Sequence, residues 1–479
     1  MTYEGFRGFL NLVRQSGELA YVRDEVDPDH QISAFIKRSG GKTIFCKNVK
    51  GSDIPLAANV LGSYRQLEIL FDKPSPELIA EYQRRIQQPQ APRVVADAPV
   101  KEVILEGGEL DLRKLPIPTV NEFDGGRYLT AAIIIVKDPD FGPNLSLQRL
   151  QLRGRNETGI FYNPVVHLKT YHERAEERGK PLEIAVAIGC DPALHIASQI
   201  TRSVDVNEYE LAGALRGRPI ELVKCETVDL EVPADAEIVL EGHIEPGRRE
   251  DEGPFGEFTG YYHGSLAEKN RMPVIRYSAI THRQNPIFQS VYLGKPPTEG
   301  AFMRALPAAS DLFNLVKEVV PEVRDVYFTT GGCGRFHAIV SIKKRSPGDG
   351  KLALSAILAS RIIIKYAVVV DDDIDIQNMD EVEWAIATRS QFDRDGVVLT
   401  QVPGQLDPSR SRPDNLITKV GIDATKPDDK DFPTVCDVPK EVLAQVERSW
   451  SSSVTTDPEE ILADWSRDRL PQLQETGHK

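Results

Sequence analysis

The stretch Leu129-Thr-Ala-Ala-Ile-Ile-Ile-Val136, LTAAIIIV, consists of small and β-branched residues, with Gly125-Gly126 shortly before it and Asp138-Pro139 shortly after. An apolar run this short, bounded by turn formers, reads as a strand. KEVILEG (101–107), IELVKC (220–225) and AEIVLEG (236–242) share its character, and few long helix-period segments lie between about 100 and 300. The expectation for residues 96–305 is a mostly β domain closed as a barrel.

Working outward from that domain, residues 5–14 place Phe6, Phe9, Leu10 and Val13 on one helical face, and the strand-like TIFCKNV (43–49) and PLAANVLG (55–62) follow. Residues 1–95 therefore read as a small α/β part. Ser75-Pro76-Glu77 predicts a helix with Ser as N-cap and Pro in its first turn, running through LIAEYQRRI until QQPQAP stops it; this helix and its exit read as a linker. On the other side, the helix-period segments ASDLFNLVKEVV and GKLALSAILASR alternate with the strands FHAIVSI and YAVVV. That predicts a second α/β domain over 306–479, ending in the amphipathic helix VPKEVLAQVERSW and a polar tail able to dock on a partner subunit. The fold class is thus α+β and multidomain.

The chain has 479 residues, 41% hydrophobic and 27% charged, enough apolar material for two or three cores. Its net charge of -14 is spread along the chain, which argues against nucleic acid or an anionic membrane as partner. Cysteines 46, 190, 225, 333 and 436 are far apart and form no CxxC pair, so neither a disulfide framework nor a zinc knuckle is expected, and a reducing cytoplasm fits. The N-terminal MTYEGFRGFLNLVRQ lacks the apolar core of a signal peptide, and no apolar run approaches the ~18 residues of a membrane span.

Several groups of residues could carry chemistry. Asn144-Leu-Ser-Leu-Gln-Arg149 offers an amide oxygen and a guanidinium, NPVVH ends in His167, and Glu208 opens NEYELAGAL. Asn, His and Glu form a mixed oxygen and nitrogen set that suits Mn²⁺ or Mg²⁺ better than zinc. Each also has a plainer reading, as turn residue, strand-end histidine and solvated helix start. The segment EDEGPFGEFTGYYHG (250–264) sets Glu252 and Glu257 on either side of Gly-Pro-Phe-Gly, a good type I turn sequence. Near one arginine, the paired acid stays ionised, while the other, among Phe258, Tyr261 and Tyr262, is pushed up and can deliver a proton. An acidic hairpin in solvent is the alternative. Ser346-Pro-Gly-Asp-Gly-Lys351 opens a helix and suits a phosphate, or is a simple capped start. The run Asp371-Asp-Asp-Ile-Asp375 reads as a solvated strand end, or as a divalent-metal site for phosphoryl transfer.

Taken in order, NLSLQR, NPVVH, NEYELAGAL, VKCETVDLEVPA, EGPFGE, VVVDDDID and KVGIDATKP resemble the UbiD family of reversible decarboxylases, over about residues 100–430. The resemblance implies a central split-barrel domain that binds prenylated flavin mononucleotide, a flanking N-terminal α/β part and a C-terminal oligomerisation domain in a homodimer or larger homo-oligomer. It implies Mn²⁺ (or Mg²⁺) on Asn144, His167 and Glu208, with K⁺ nearby. Cofactor contacts would come from Asn144, Ser146, Leu147, Gln148, Arg149, Val166, His167, Ser198, Glu208 and Lys351. Arg149, Glu252 and Glu257 would form the catalytic network, with Glu257 as proton donor after a covalent flavin adduct loses CO₂. The implied substrate is an α,β-unsaturated acid, favoured here as aromatic or heteroaromatic with a non-aromatic alkenoic acid as alternative, and a flavin prenyltransferase would supply the cofactor. The segment 289–304 would line the pocket, with Lys295 or Arg304 as candidates for a further polar group.

Overall fold

A computed structural model describes residues 3–162, 166–200, 203–204, 206–262, 266–267, 270–404, 406–411, 414–428, 431–457 and 459–460. Residues 1–426 form one compact unit and residues 427–479 a second.

In the first unit, LTAAIIIV lies within the strand Tyr128–Asp138, which pairs antiparallel with Gly142–Leu152 on one side and Leu182–Ile188 on the other. Gly142–Leu152 continues to Glu157–Phe161, then to Asn270–His282, then to Ile238–Glu252, which returns to Leu182–Ile188. Six antiparallel strands thus close on themselves, and closure removes the free edges that an open sheet leaves unpaired. Burial on both faces explains the unbroken apolar run. Ala132, Ile134 and Val136 fill the barrel-side core, whereas Ala131, Ile133 and Ile135 join a larger core under the helices. Leu129 shares the barrel side with Ala132 because the register shifts between them.

The helices Pro192–Ala197, Glu208–Arg216 and Glu299–Lys317 contribute Leu194, Ile196, Ala212, Leu215, Leu306 and Leu312 to that larger core. Ser75 does not cap the next helix: Ser75–Glu77 is a 3₁₀ turn whose first N–H donates to Glu68, and the α-helix begins at Leu78. Nor is the helix Leu78–Ile86 a linker, since its Leu78, Ile79 and Tyr82 are buried in the same core. An apolar stripe of three large residues is worth several kcal/mol only when covered, which is why it packs instead of bridging.

The N-terminal sheet runs Leu19–Val26, Thr43–Val49, Leu56–Ala58, and takes its fourth strand, Phe288–Ser290, from beyond the barrel. Glu299 strengthens this junction by accepting the Leu61 N–H at 2.9 Å. The C-terminal sheet is ordered Val323–Phe328, His337–Ile342, Tyr366–Asp371, Leu416–Asp423, Gly396–Pro403, with helix Asp349–Ala359 beside it. In the second unit the helix Lys440–Ser453 exposes Val442, Val446 and Trp450 at four-residue spacing. Among the described residues no helix is long and apolar enough to cross a membrane.

Candidate active site

Arg149 projects from the strand Gly142–Leu152 to meet two glutamates from the far end of the barrel. Its Nε and Nη2 donate to Glu252 at 2.9 and 3.1 Å, and Nη1 donates to Glu257. The guanidinium carbon lies 3.8 Å from the Phe161 ring centroid and 4.7 Å from that of Phe255, so two aromatic rings pack on it. Burial works against its charge, but Glu257 and Glu252 overcome that and hold the guanidinium above its ordinary range. Glu252 is wholly buried and doubly held, whereas the Glu257 side chain takes one contact and keeps 12% of its surface. Arg149 therefore pairs with both acids, not with one, and Tyr261 is 63% exposed and does not enclose Glu257.

The joint between the two glutamates differs from the expected type I turn. The Gly253–Pro254 peptide is cis, Gly253 sits at φ +96°, and no hydrogen bond closes residues 253–256. Their polar groups are instead taken by the segment 121–128. Gly256 N–H donates to Asp124 Oδ1 at 2.8 Å, Gly125 N–H donates to the Pro254 carbonyl at 2.7 Å, and Asp124 Oδ2 takes the Asn121 N–H at 2.8 Å. Contact is too close for side chains: a Cβ on Gly125 would stand 2.3 Å from the Gly253 carbonyl oxygen. Burial pushes the Asp124 carboxyl up to about 6, against the two N–H groups and Arg149. Asp124 was not legible as a site residue; the acid followed by two glycines in NEFDGG was the available signal.

A second polar group forms where the same strand meets helix Glu208–Arg216, whose first turn is capped by Asn207. Asn144 Nδ2 donates to Glu208 Oε1 and Leu145 N–H donates to Oε2, each at 3.0 Å. Burial pushes the Glu208 carboxyl up to about 7. Asn144 Oδ1 and Ser146 Oγ are buried with no hydrogen-bond partner. Two orphaned oxygens beside a desolvated carboxylate suit a hard divalent cation, which would satisfy all three.

His167 opens helix His167–Glu177 and makes no hydrogen bond or ion pair with a described residue; Val166 precedes it, and Asn163, Pro164 and Val165 lie outside the described residues. Among the described residues no group of three or more His, Cys, Asp or Glu is arranged to hold a metal ion. Leu147 and Gln148 are half-buried on the Arg149 strand, and Ser198 donates to the His195 carbonyl. Lys351 is not brought to this set, because its ammonium donates to the Arg394 carbonyl, while Asp349 takes the Arg345 and Ser346 N–H groups as a local cap. The acidic run is committed elsewhere: Asp371 and Asp373 pair with Arg389, and Asp373 also with Lys426. Those cations leave no basis for phosphoryl transfer there.

The N-terminal, Rift-related and C-terminal domain models of the UbiD 3-octaprenyl-4-hydroxybenzoate carboxy-lyases match residues 10–86, 93–296 and 301–424. The anhydromevalonate phosphate decarboxylase of Methanosarcina mazei is 38% identical over 89% of this chain and 96% of its own length. The chain belongs to the UbiD family. Its activity class is that of a carboxy-lyase. The phenolic acid decarboxylase of Bacillus subtilis is 34% identical over 89% of this chain and 93% of its own. Among solved UbiD-class structures, HmfF from Pelotomaculum thermopropionicum in complex with FMN superposes with a TM-score of 0.87 at 40% identity, covering 92% of this chain and all of that one. An evolved dimeric form of HmfF in complex with prFMN gives 0.82 at 38% identity, over 91% of this chain and 98% of that chain. The closed barrel with helical flanks is the architecture shared with these structures.

Proposed function

We propose that this chain is a prenylated-FMN-dependent decarboxylase of an α,β-unsaturated, aromatic or heteroaromatic acid, RCOO⁻ + H⁺ giving RH + CO₂. The observation that carries the reading is Arg149 clasped between Glu252 and Glu257 at the barrel end. The flavin of HmfF supports the cofactor. Bound there, a prenylated flavin supplies an electron sink for the pair released as the C–CO₂⁻ bond breaks.

The chain's own residues would do the rest. Asn144, Glu208 and His167 would hold Mn²⁺ or Mg²⁺ against the cofactor phosphate, using the unpartnered Asn144 oxygen. Arg149 stays charged and fixes both glutamates. Glu252, doubly bonded and sealed from water, keeps the guanidinium plane in place, while Glu257 has one oxygen left to hold the proton that replaces CO₂. The clamp by residues 121–128 keeps that oxygen from drifting, which matters because proton transfer needs heavy atoms within about 3 Å. The limits 1–95, 96–305 and 306–479 belong to this reading, with the flavin in the middle part, as does a homo-oligomeric assembly.

The test is co-expression with a flavin prenyltransferase, purification in the dark without oxygen, and an absorbance and mass spectrum of what the protein retains, followed by CO₂ release from a panel of unsaturated acids. Bound prenylated flavin and turnover are expected. A folded, metal-loaded protein that takes up no flavin would end the proposal. Glu257→Gln should retain the flavin and lose at least about a hundredfold in kcat; near wild-type turnover would remove Glu257 from its role.

A further inference from the structure

His167 opens a helix whose far end holds the strand of Glu252. Tyr162 follows Phe161, the residue that pairs with Arg149 in register and packs on its guanidinium. The Tyr162 hydroxyl is 2.5 Å from His172 Nδ1, and the two rings meet edge to face with centroids 6.1 Å apart. On the other side of that imidazole, Nε2 faces Glu176 Oε1 at 3.4 Å. Glu176 in turn accepts the Gly247 N–H at 2.7 Å through Oε1 and Arg249 Nη2 at 2.9 Å through Oε2. Gly247, at φ +72°, and Arg249 lie where the strand Ile238–Glu252 slips register against Asn270–His282. Glu252 is three residues further on.

One polar chain therefore runs from the strand end beside Arg149, through helix His167–Glu177, to the strand that delivers Glu252. Its middle is dry. His172 is 1% exposed, and burial, against the pull of Glu176, pushes the imidazole down to about 4. A neutral ring beside a carboxylate keeps its proton on the nitrogen that faces it, which leaves Nδ1 to accept the Tyr162 hydroxyl.

The helix does not need this chain for burial, because Leu168, Tyr171 and Ala175 already sit in the barrel-side core. Apolar contact is non-directional and leaves a short helix free to settle slightly about its axis, whereas a run of polar contacts selects one setting. That setting matters at the first turn. The helix packs against the strand of Asn144. Tyr171 shares a helix face with His167, four residues before it, and its phenol is raised to about 12, by burial first and then by the charge of Glu208. The face that begins at His167 is thus turned toward the group formed by Asn144 and Glu208. A metal ligand must keep its distance to within about 0.2 Å, and apolar packing alone does not define a side chain so closely.

We propose that Tyr162, His172 and Glu176 are positioning residues for the metal centre: they fix the rotation of helix His167–Glu177 so that His167 meets the cation on Asn144 and Glu208, and they tie that setting to the strand of Glu252. This rests on the reading that Asn144, His167 and Glu208 hold the metal, and adds to it the device that presents His167. The three residues act through His167 and are not ligands themselves.

Titration of the flavin-loaded protein with Mn²⁺ after chelation, with the free ion followed by electron paramagnetic resonance, tests it. Tyr162→Phe removes one oxygen and should weaken Mn²⁺ about tenfold, the scale of losing an outer-shell partner of a metal ligand. His167→Ala should weaken it more. In the His167→Ala background Tyr162→Phe should cost nothing further, because the ligand it presents is gone. Glu176→Gln gives a second cycle with the same pattern, and carries the test if Tyr162→Phe fails to fold. Unchanged affinity in either folded variant, beside a loss in His167→Ala, would overturn the inference and leave the metal assignment standing. A loss that persists undiminished in the His167→Ala background would also overturn it, since the chain would then act on the fold at large. Affinity retained by His167→Ala would remove the metal assignment and the inference with it.

Discussion

Arg149 and Arg335 both act on Glu257, yet the chain treats their charges in opposite ways. Arg149 has two carboxylates, two aromatic rings and most of its donors engaged. Arg335, on the ring of Phe258, has an orphaned Nε and a second arginine, Arg304, for company. The first arrangement is balanced and so serves geometry; the second is electrostatically incomplete and so burdens the fold. Matched methionine substitutions separate the two most sharply. Arg149→Met leaves two glutamates facing each other in a dry site and should cost about 3–5 kcal/mol of unfolding free energy, the usual result of breaking a buried pair. Arg335→Met removes an uncompensated charge and should cost nothing or stabilise. Denaturant titration of both reads the difference, and equal losses would erase the distinction.

Glu299 is the negative counterpart of Arg335, and it sharpens the comparison by pH. Its carboxylate accepts the Leu61 N–H through one oxygen, while the other is buried without a partner. Burial, against backbone N–H groups at 59–61, pushes it up to about 8. Between pH 4.5 and 8 the unfolded chain releases this proton while the folded chain keeps it, so the unfolded state binds fewer protons and stability falls as pH rises through that window. The loss is on the order of a few kcal/mol, complete above about pH 8. In Glu299→Gln this part of the slope should vanish. Unfolding curves at pH 5 and 8.5 that shift equally in both proteins would show that the group is ionised at both.

What the sequence revealed follows the same division between local and distant causes. LTAAIIIV was readable as a strand because composition and flanking turns are local, and NLSLQR and EGPFGE were readable as a pair because their residue types declare a charge network. Closure of the barrel was an expectation of class; the order in which six strands pair depends on contacts that no local window contains. The type I turn expected at Gly253–Gly256 failed for that reason. Pro and Gly suit such a turn, but Gly256 gives its N–H to Asp124, more than a hundred positions earlier, and that bond replaces the local one. Arg335 lay in a glycine turn with nothing local to mark it. Its neighbours Phe258 and Arg304 are brought beside it by the close contacts of Gly260 with Lys295 and of Gly334 with Ala301.

Asp124 stands between the two extremes, a half-buried carboxylate whose hydrogen-bond partners are N–H groups and not a cation, and it yields the smallest expected effect. Its two oxygens hold Asn121 and Gly256, so it fixes the backbone just before Glu257 without touching a reacting atom. Asp124→Asn keeps one acceptor and turns an NH₂ toward the other N–H. The turn should loosen enough to lower kcat about tenfold, roughly 1.4 kcal/mol of barrier, with KM and flavin retention little changed. The acid limb of the pH profile provides the readout that a merely structural role would not move. Protonation of Asp124 as pH falls through about 6 converts one acceptor into a donor, so the unmodified enzyme should lose kcat there. The Asn variant has no such proton to gain and should be flat across the same range. An acid limb retained in the Asn variant would assign that titration to another group and leave Asp124 a packing residue, with Arg149 alone setting the position of Glu257.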